Sequence, residues 1–231
     1  MMSEEFNGFK PSAIQFLQEL EKKNRRNRFN SNKKIYENDV LFPALSYISA
    51  IGDHLPNISD NFTAIPKRMG GSIMRIYRDT RFSKDKTPYK TNVGIQFRHR
   101  LAKDVHSPGY YVHIAPDECF IGVGTWHPPS DALFKIRKHI EEYPDKWIWM
   151  RDNKSFNTEF ELVGDKLKTV PRGFDKDHEL IDDLRWKDFI ALKNISKKDI
   201  ESMDFVDNTI KAFKTAEPLM KFLCEAVGVP F

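Results

Sequence analysis

Apolar residues near the start of the chain recur at helical spacing. Ile14, Leu17 and Leu20 form one stripe behind Pro11, which suits a first turn, and they predict a helix over 11–20. A second helical pattern begins near 30–32 and runs to about Leu55, carrying Ile35, Tyr36, Val40, Leu41, Leu45, Ile48 and Ile51. Pro43 inside it predicts a kink or a restart. The period then changes to two. Over 72–78, Ile73, Arg75 and Tyr77 alternate with Met74 and Ile76. Over 92–98, Val93, Ile95 and Phe97 alternate with Gly94, Gln96 and Arg98. Over 110–114, Tyr110, Val112 and Ile114 alternate with Tyr111 and His113. Over 119–125, Cys119, Ile121, Val123 and Thr125 alternate with Phe120, Gly122 and Gly124. Four strands are predicted.

The second half is mainly helical. Ser130 or Asp131 caps a helix carrying Leu133, Phe134, Ile136 and Ile140, and Pro144 opens another over 144–150. A small hairpin is expected over 159–163 and 166–170, then a turn at 171–174, a short helix over 178–186 and a strand over 188–195. One amphipathic helix runs from about Asp204 to Val227, bent at Pro218 and stopped at Gly228. Consecutive strands with short connections favour an antiparallel meander, and one apolar face per strand places helices on that side only. No linker rich in Gly, Ser or Pro interrupts the chain. The expectation is a single α+β domain over 1–231, with helices at both ends.

Composition sharpens this picture in two places. Eighteen Phe within 40% hydrophobic residues predict a core packed from rings. The start, Met1-Met2-Ser3-Glu4-Glu5, is acidic and lacks an apolar region, and no run reaches the roughly 18 apolar residues of a membrane span. A cytoplasmic protein with Cys119 and Cys224 as reduced thiols is expected. The net charge of +4 allows an acidic partner without demanding one.

That charge is concentrated. Arg75, Arg78, Arg81, Lys84, Lys86 and Lys90 face only Asp79 and Asp85 between positions 75 and 90. The connection from Asp79 to Thr91 is long for a hairpin, and long ordered loops are often functional. Arg supplies forked donors for phosphate or carboxylate, Lys supplies mobile charge, and Thr80, Ser83 and Thr87 add hydroxyls. Arg98 on a neighbouring strand and Arg172 in the turn at 171–174 are further candidate anion ligands. Gln96 and His113 lie on faces not needed for a core, and Gly122 and Gly124 let a ligand approach the backbone. A charge run is most often a solvated surface. Against that stand the loop length, the three-residue spacing of the arginines, and Tyr77, Phe82 and Tyr89 interleaved with them.

The expected partner is therefore an anionic small molecule. A nucleic acid, stacked on the loop aromatics, or an acidic protein are the alternatives. If catalysis occurs, Asp79 or His127 is the proton-transfer candidate. Ser83-Lys84-Asp85-Lys86 carries a Ser-x-x-Lys string without its companion motifs. His113, Asp117, Glu118, Cys119 and His127 lack a recognised ligand spacing, so no metal is assigned, and no cofactor or oligomeric state follows from the sequence.

The run Arg75-Ile76-Tyr77-Arg78-Asp79-Thr80-Arg81-Phe82-Ser83-Lys84-Asp85-Lys86-Thr87-Pro88-Tyr89-Lys90 resembles the signature of a bacterial and fungal family catalogued as domain of unknown function 2461. The resemblance extends to Phe29, Asn32 and Lys33, to Gly122, Gly124 and Trp126, to Pro171 through Asp175, to His178, to Lys187-Asp188-Phe189, and to the segment 218–224. Arg28 departs from the Trp usual there, and Glu179 from the usual Pro. The resemblance implies one domain and brings no activity with it.

Overall fold

The computed structural model describes residues 5–102 and 107–231; the acidic start at 1–4 lies outside them. Helix α1 (Pro11–Lys22) has its proline in the first turn, as the spacing predicts. The long second helix is instead divided. Short helices α2 (Arg26–Ser31) and α3 (Lys33–Ile35) lead into a π-helical turn at Tyr36–Leu41, followed by α4 (Phe42–His54) and a 3₁₀ turn at Leu55–Asn57. The wide turn is the form taken by the expected kink. Proline at position 43 lacks an amide hydrogen and its ring crowds the carbonyl four residues back, and widening the preceding turn relieves both.

Among the described residues the sheet has six strands: β1 (Phe62–Thr63), β2 (Val93–His99), β3 (Gly109–Ile114), β4 (Cys119–Thr125), β5 (Glu161–Val163) and β6 (Phe189–Asn194). Their order is β1-β2-β3-β4-β6-β5, antiparallel throughout. The meander holds from β1 to β4. Three expectations change. The strand over 72–78 is reduced to two separate bridges, Ile73 to Ile95 and Tyr77 to Tyr89. After Met74 the chain leaves β2 and pairs with its own return segment, through Lys90 N–H to the Ile76 carbonyl and Arg78 N–H to the Pro88 carbonyl. Ile73 is consequently buried while Arg75 is exposed, so they share no face. The hairpin over 159–170 does not form. Residues 161–163 pair with β6, and Lys166 bridges to Trp186. Finally, the terminal helix is two helices.

The remaining helices are α5 (Ser130–Glu142), α6 (Pro144–Arg151), α7 (Lys154–Glu159), α8 (Ile181–Leu184), α9 (Lys197–Glu201), α10 (Phe205–Thr215) and α11 (Glu217–Val227). Pro218 sits in the first turn of α11, so the expected bend is a break at Ala216. The helix over 178–186 shortens to α8. Neither α7 nor α9 was visible as a pattern, each being only one or two turns long.

The core lies between one sheet face and the helices. Val93, Ile95, Phe97, Tyr110, Val112, Ile121, Val123 and Ala191 are buried on that face. Phe213 of α10 stacks on Tyr110 at 4.2 Å and meets Phe97 at 5.7 Å. Trp147 of α6 joins Phe189 at 5.7 Å to Phe222 at 5.3 Å. Tyr47 stacks on Phe205 at 4.9 Å and donates its hydroxyl hydrogen to Thr209 Oγ1 at 2.8 Å. Rings thus connect both ends of the chain to the sheet, each pair adding about 1 kcal/mol beyond area burial.

Backbone crowding fixes one glycine. Gly124 has φ +115°, and a Cβ there would land on the Phe189 carbonyl oxygen of β6. Gly124→Ala is expected to lower stability by roughly 3 kcal/mol through combined strain and clash, read as a lowered denaturant midpoint in equilibrium unfolding.

Candidate functional site

The basic loop is closed by its own acids. Tyr77 and Tyr89 bridge its base, with rings 5.5 Å apart. Tyr89 stacks on Phe29 at 4.2 Å, and the Asn24 side chain clasps its backbone, donating to the carbonyl at 2.9 Å and accepting its N–H at 3.1 Å. Arg78 is paired with Asp85 and also donates to Thr87 Oγ1. Asp85 in turn accepts the Thr87 N–H at 2.9 Å. Arg81 and Asp79 form a forked pair at 2.7–3.2 Å, and Lys86 donates to the Thr80 carbonyl at 2.8 Å.

These pairs change what the sequence-nominated residues do. Asp79 serves as counter-ion to Arg81, whose hydrogen bonds hold its carboxyl down at about 2. Arg78 does the same for Asp85, also at about 2. Lys84 is exposed and Ser83 half-buried at the loop tip, where Phe82 projects 95% exposed. Arg172 is exposed in the separate turn at 171–174, whose Phe174 packs on Phe134 of α5.

Lys90, Arg98 and Arg75 are placed differently. Lys90 is half-buried, and burial followed by the neighbouring Arg75 pushes its pKa down. Its Nζ is 4.0 Å from Met74 Sδ. Met74 stands at the edge of a groove on the helix-free face of the sheet, with a volume of about 390 Å³. Gln96 of β2, Tyr111 and His113 of β3, Phe120, Gly122 and Gly124 of β4, and Ile190 and Leu192 of β6 line it, with Trp126 at the far edge. Arg98 Nε donates to Gln96 Oε1 at 3.1 Å, which sets a second cation beside the same groove.

Period-two alternation creates this surface. Odd positions of β2 and even positions of β3 sink into the core, which leaves Gln96 paired with Tyr111, and Tyr111 with Gly122, on the other side. Glycine at 94 leaves room for the Tyr111 hydroxyl, which a Cβ there would approach to 2.6 Å and have to displace. That hydroxyl lies 3.1 Å from His113 Nδ1, and Asn92 Nδ2 lies 3.5 Å from the same nitrogen. Two donors converging on Nδ1 leave it the acceptor and put the hydrogen of the neutral ring on Nε2, which is 3.9 Å from Glu118. Burial lowers the His113 pKa, against the opposing pull of Glu118 and Asp117. Burial likewise pushes the Tyr111 phenol up to about 12. His113 lies flat on Phe120 at 4.6 Å.

His127 occupies another corner. Its backbone N–H donates to Asp188 Oδ1 at 2.5 Å, and its Nδ1 is 2.9 Å from the same oxygen. In the sequence Asp188 appears only within Lys187-Asp188-Phe189 of the family resemblance and carries no role, because by residue type that run reads as an ordinary start of a strand. No three His, Cys, Asp or Glu side chains converge as a metal site among the described residues.

The family model described as conserved hypothetical protein (DUF2461) matches residues 12–222, nearly the whole chain. The chain belongs to the DUF2461 family. No curated protein and no solved structure matches it. In this DUF2461 protein the signature run is thus a self-paired hairpin whose base, at Met74 and Lys90, borders the open groove.

Two outcomes follow from the loop geometry. Asn24→Ala removes both bonds to Tyr89 and is expected to cost about 1–2 kcal/mol, with faster proteolysis between residues 78 and 88. The Asp79 and Asp85 pKa values lie below the ordinary carboxylate range, so their pairing persists above that range and is lost only as pH falls to about 2. Hydrogen exchange at the Arg81 and Thr87 amides, which donate to these carboxylates, is expected to keep its protection at pH 3. Loss of protection already at pH 4 would contradict the assignment.

Proposed function

We propose that this DUF2461 protein binds an anionic small molecule with a flat apolar body, seated in the groove on the helix-free face of the sheet. The observation that carries this reading is Lys90, a half-buried cation whose Nζ lies 4.0 Å from Met74 Sδ, where Met74 is one of the residues lining a cavity of about 390 Å³ floored by glycines and walled by aromatics. Holding a charge partly out of water costs free energy, and a bound anion recovers it. Arg98 supplies the second positive group, and Gln96 and His113 supply orienting hydrogen bonds. Few polar groups in a mostly apolar concavity is the usual composition of a small-molecule site. Arg78, Arg81 and Lys86 contribute by fixing the hairpin that carries Lys90, with Thr80 and Ser83 among its tip residues; Arg75 adds field.

The test uses 8-anilinonaphthalene-1-sulfonate, an anion with an apolar body, followed by fluorescence titration. One saturable site is expected. Lys90→Met combined with Arg98→Met weakens it about tenfold or more, and the uncharged N-phenyl-1-naphthylamine binds far less tightly. Equal affinity for the two dyes, or an unchanged double variant, would sink the anion reading. Displacement of the dye only by single-stranded oligonucleotide, falling steeply with salt, would shift the site to the basic hairpin.

A further inference from the structure

Asp188 and His127 are held in a way that the fold alone does not require. Val163 pairs with Ile190 and Lys166 with Trp186, so the segment 186–190 carries one residue more than 163–166 over the same span. This is a β-bulge that takes in Asp188, and bulges re-aim side chains. Gly164, with φ +136°, makes room opposite, since a Cβ there would sit 3.1 Å from Asp188 Cβ. The Asp188 side chain is 4% exposed, whereas that of His127 is 57% exposed. His127 has φ +49°, a left-handed backbone that few side chains adopt. Its ring packs on Trp126 at 4.3 Å, and Trp126 forms the edge of the groove.

The buried carboxylate accepts at Nδ1, so the neutral ring carries its hydrogen there and a lone pair on Nε2. A buried acid orienting an accessible imidazole is the arrangement of a base and its positioning group. We infer that His127 is a catalytic base, positioned by Asp188, that activates water against a carboxylic ester lying in the groove. The inference rests on the groove reading above. The His127 ring is 57% exposed, so solvent reaches it, and water is the nucleophile of this step. An ester is favoured over an amide because an alkoxide or phenolate departs without an acid to protonate it. In the step, Nε2 takes a proton from water as its oxygen bonds to the carbonyl carbon. The carbon–oxygen bond to the leaving group breaks with its electron pair. The products are a carboxylic acid and the alkoxide or phenolate; the acid then loses its remaining proton to solvent as carboxylate, and the proton on Nε2 also passes to solvent.

The probe is 4-nitrophenyl acetate, with release of nitrophenolate followed in wild type, His127→Asn, Asp188→Asn and Gly122→Leu, each also titrated with the sulfonate dye. Asparagine suits position 127 because it tolerates the left-handed backbone. The expected result is a wild-type rate roughly a hundredfold above His127→Asn, slowed in deuterium oxide, with Asp188→Asn falling at least tenfold while dye binding persists in both. Gly122→Leu, which fills the groove, loses dye and hydrolysis together. Dye binding with His127→Asn as fast as wild type, or Asp188→Asn as fast as wild type, overturns the inference and leaves the groove reading standing. Hydrolysis that survives in Gly122→Leu overturns the seat in the groove. Absence of dye binding in the wild type is failure of the groove reading itself.

Discussion

Helices cover only one face of this sheet, and everything else follows from that asymmetry. The alternating residues of β2, β3, β4 and β6 sink their apolar members against α10, α11 and α6, where Phe213, Trp147 and Phe222 pack as rings. The opposite members need not fill a core. Glycine is accepted there at 94, 122 and 124, Tyr111 and His113 are half-buried, and Gln96 is a buried polar side chain. Close packing on one side thus leaves the other free of the demand to fill a core, since hydrophobic burial is already satisfied.

Charge arranges the neighbouring hairpin by a different rule. Its excess of positive side chains is real, but each arginine of the tip already has an aspartate partner. Exposed pairs of this kind contribute little to global stability. Their effect is local: with the Asn24 clasp and the Tyr89 stack on Phe29, they give a long connection one conformation. Arg75, Lys84, Lys86 and Lys90 lie outside these two pairs, and of the cations in this region Lys90 and Arg98 touch groove-lining residues, Met74 and Gln96.

Much of the fold was legible in sequence because its signals are periodic. The four segments with clean alternation or a proline start, such as β2, β3, β4 and α1, appear where spacing places them. Segments that depend on tertiary partners did not read correctly. Residues 72–78 alternate well but leave β2 halfway to pair with 88–90, and 161–163 joins β6 rather than folding back on itself. Within the site, the basic run, Gln96, His113 and the glycines at 122 and 124 could be nominated from residue type. Asp188 could not, because its role comes from a bulge and a partner 61 positions away.

Two residues lining the groove, Gly122 and Gly124, have no side chain to fill it. A Cβ at Gly122 would meet Leu192 at 3.3 Å, a contact that a flexible leucine can relieve, while Gly124 is held by backbone crowding and cannot change cheaply. One floor position is therefore free to vary and its neighbour is not. A ligand seated in this groove would be sized at position 122, one methyl at a time, without disturbing the backbone packing that position 124 enforces.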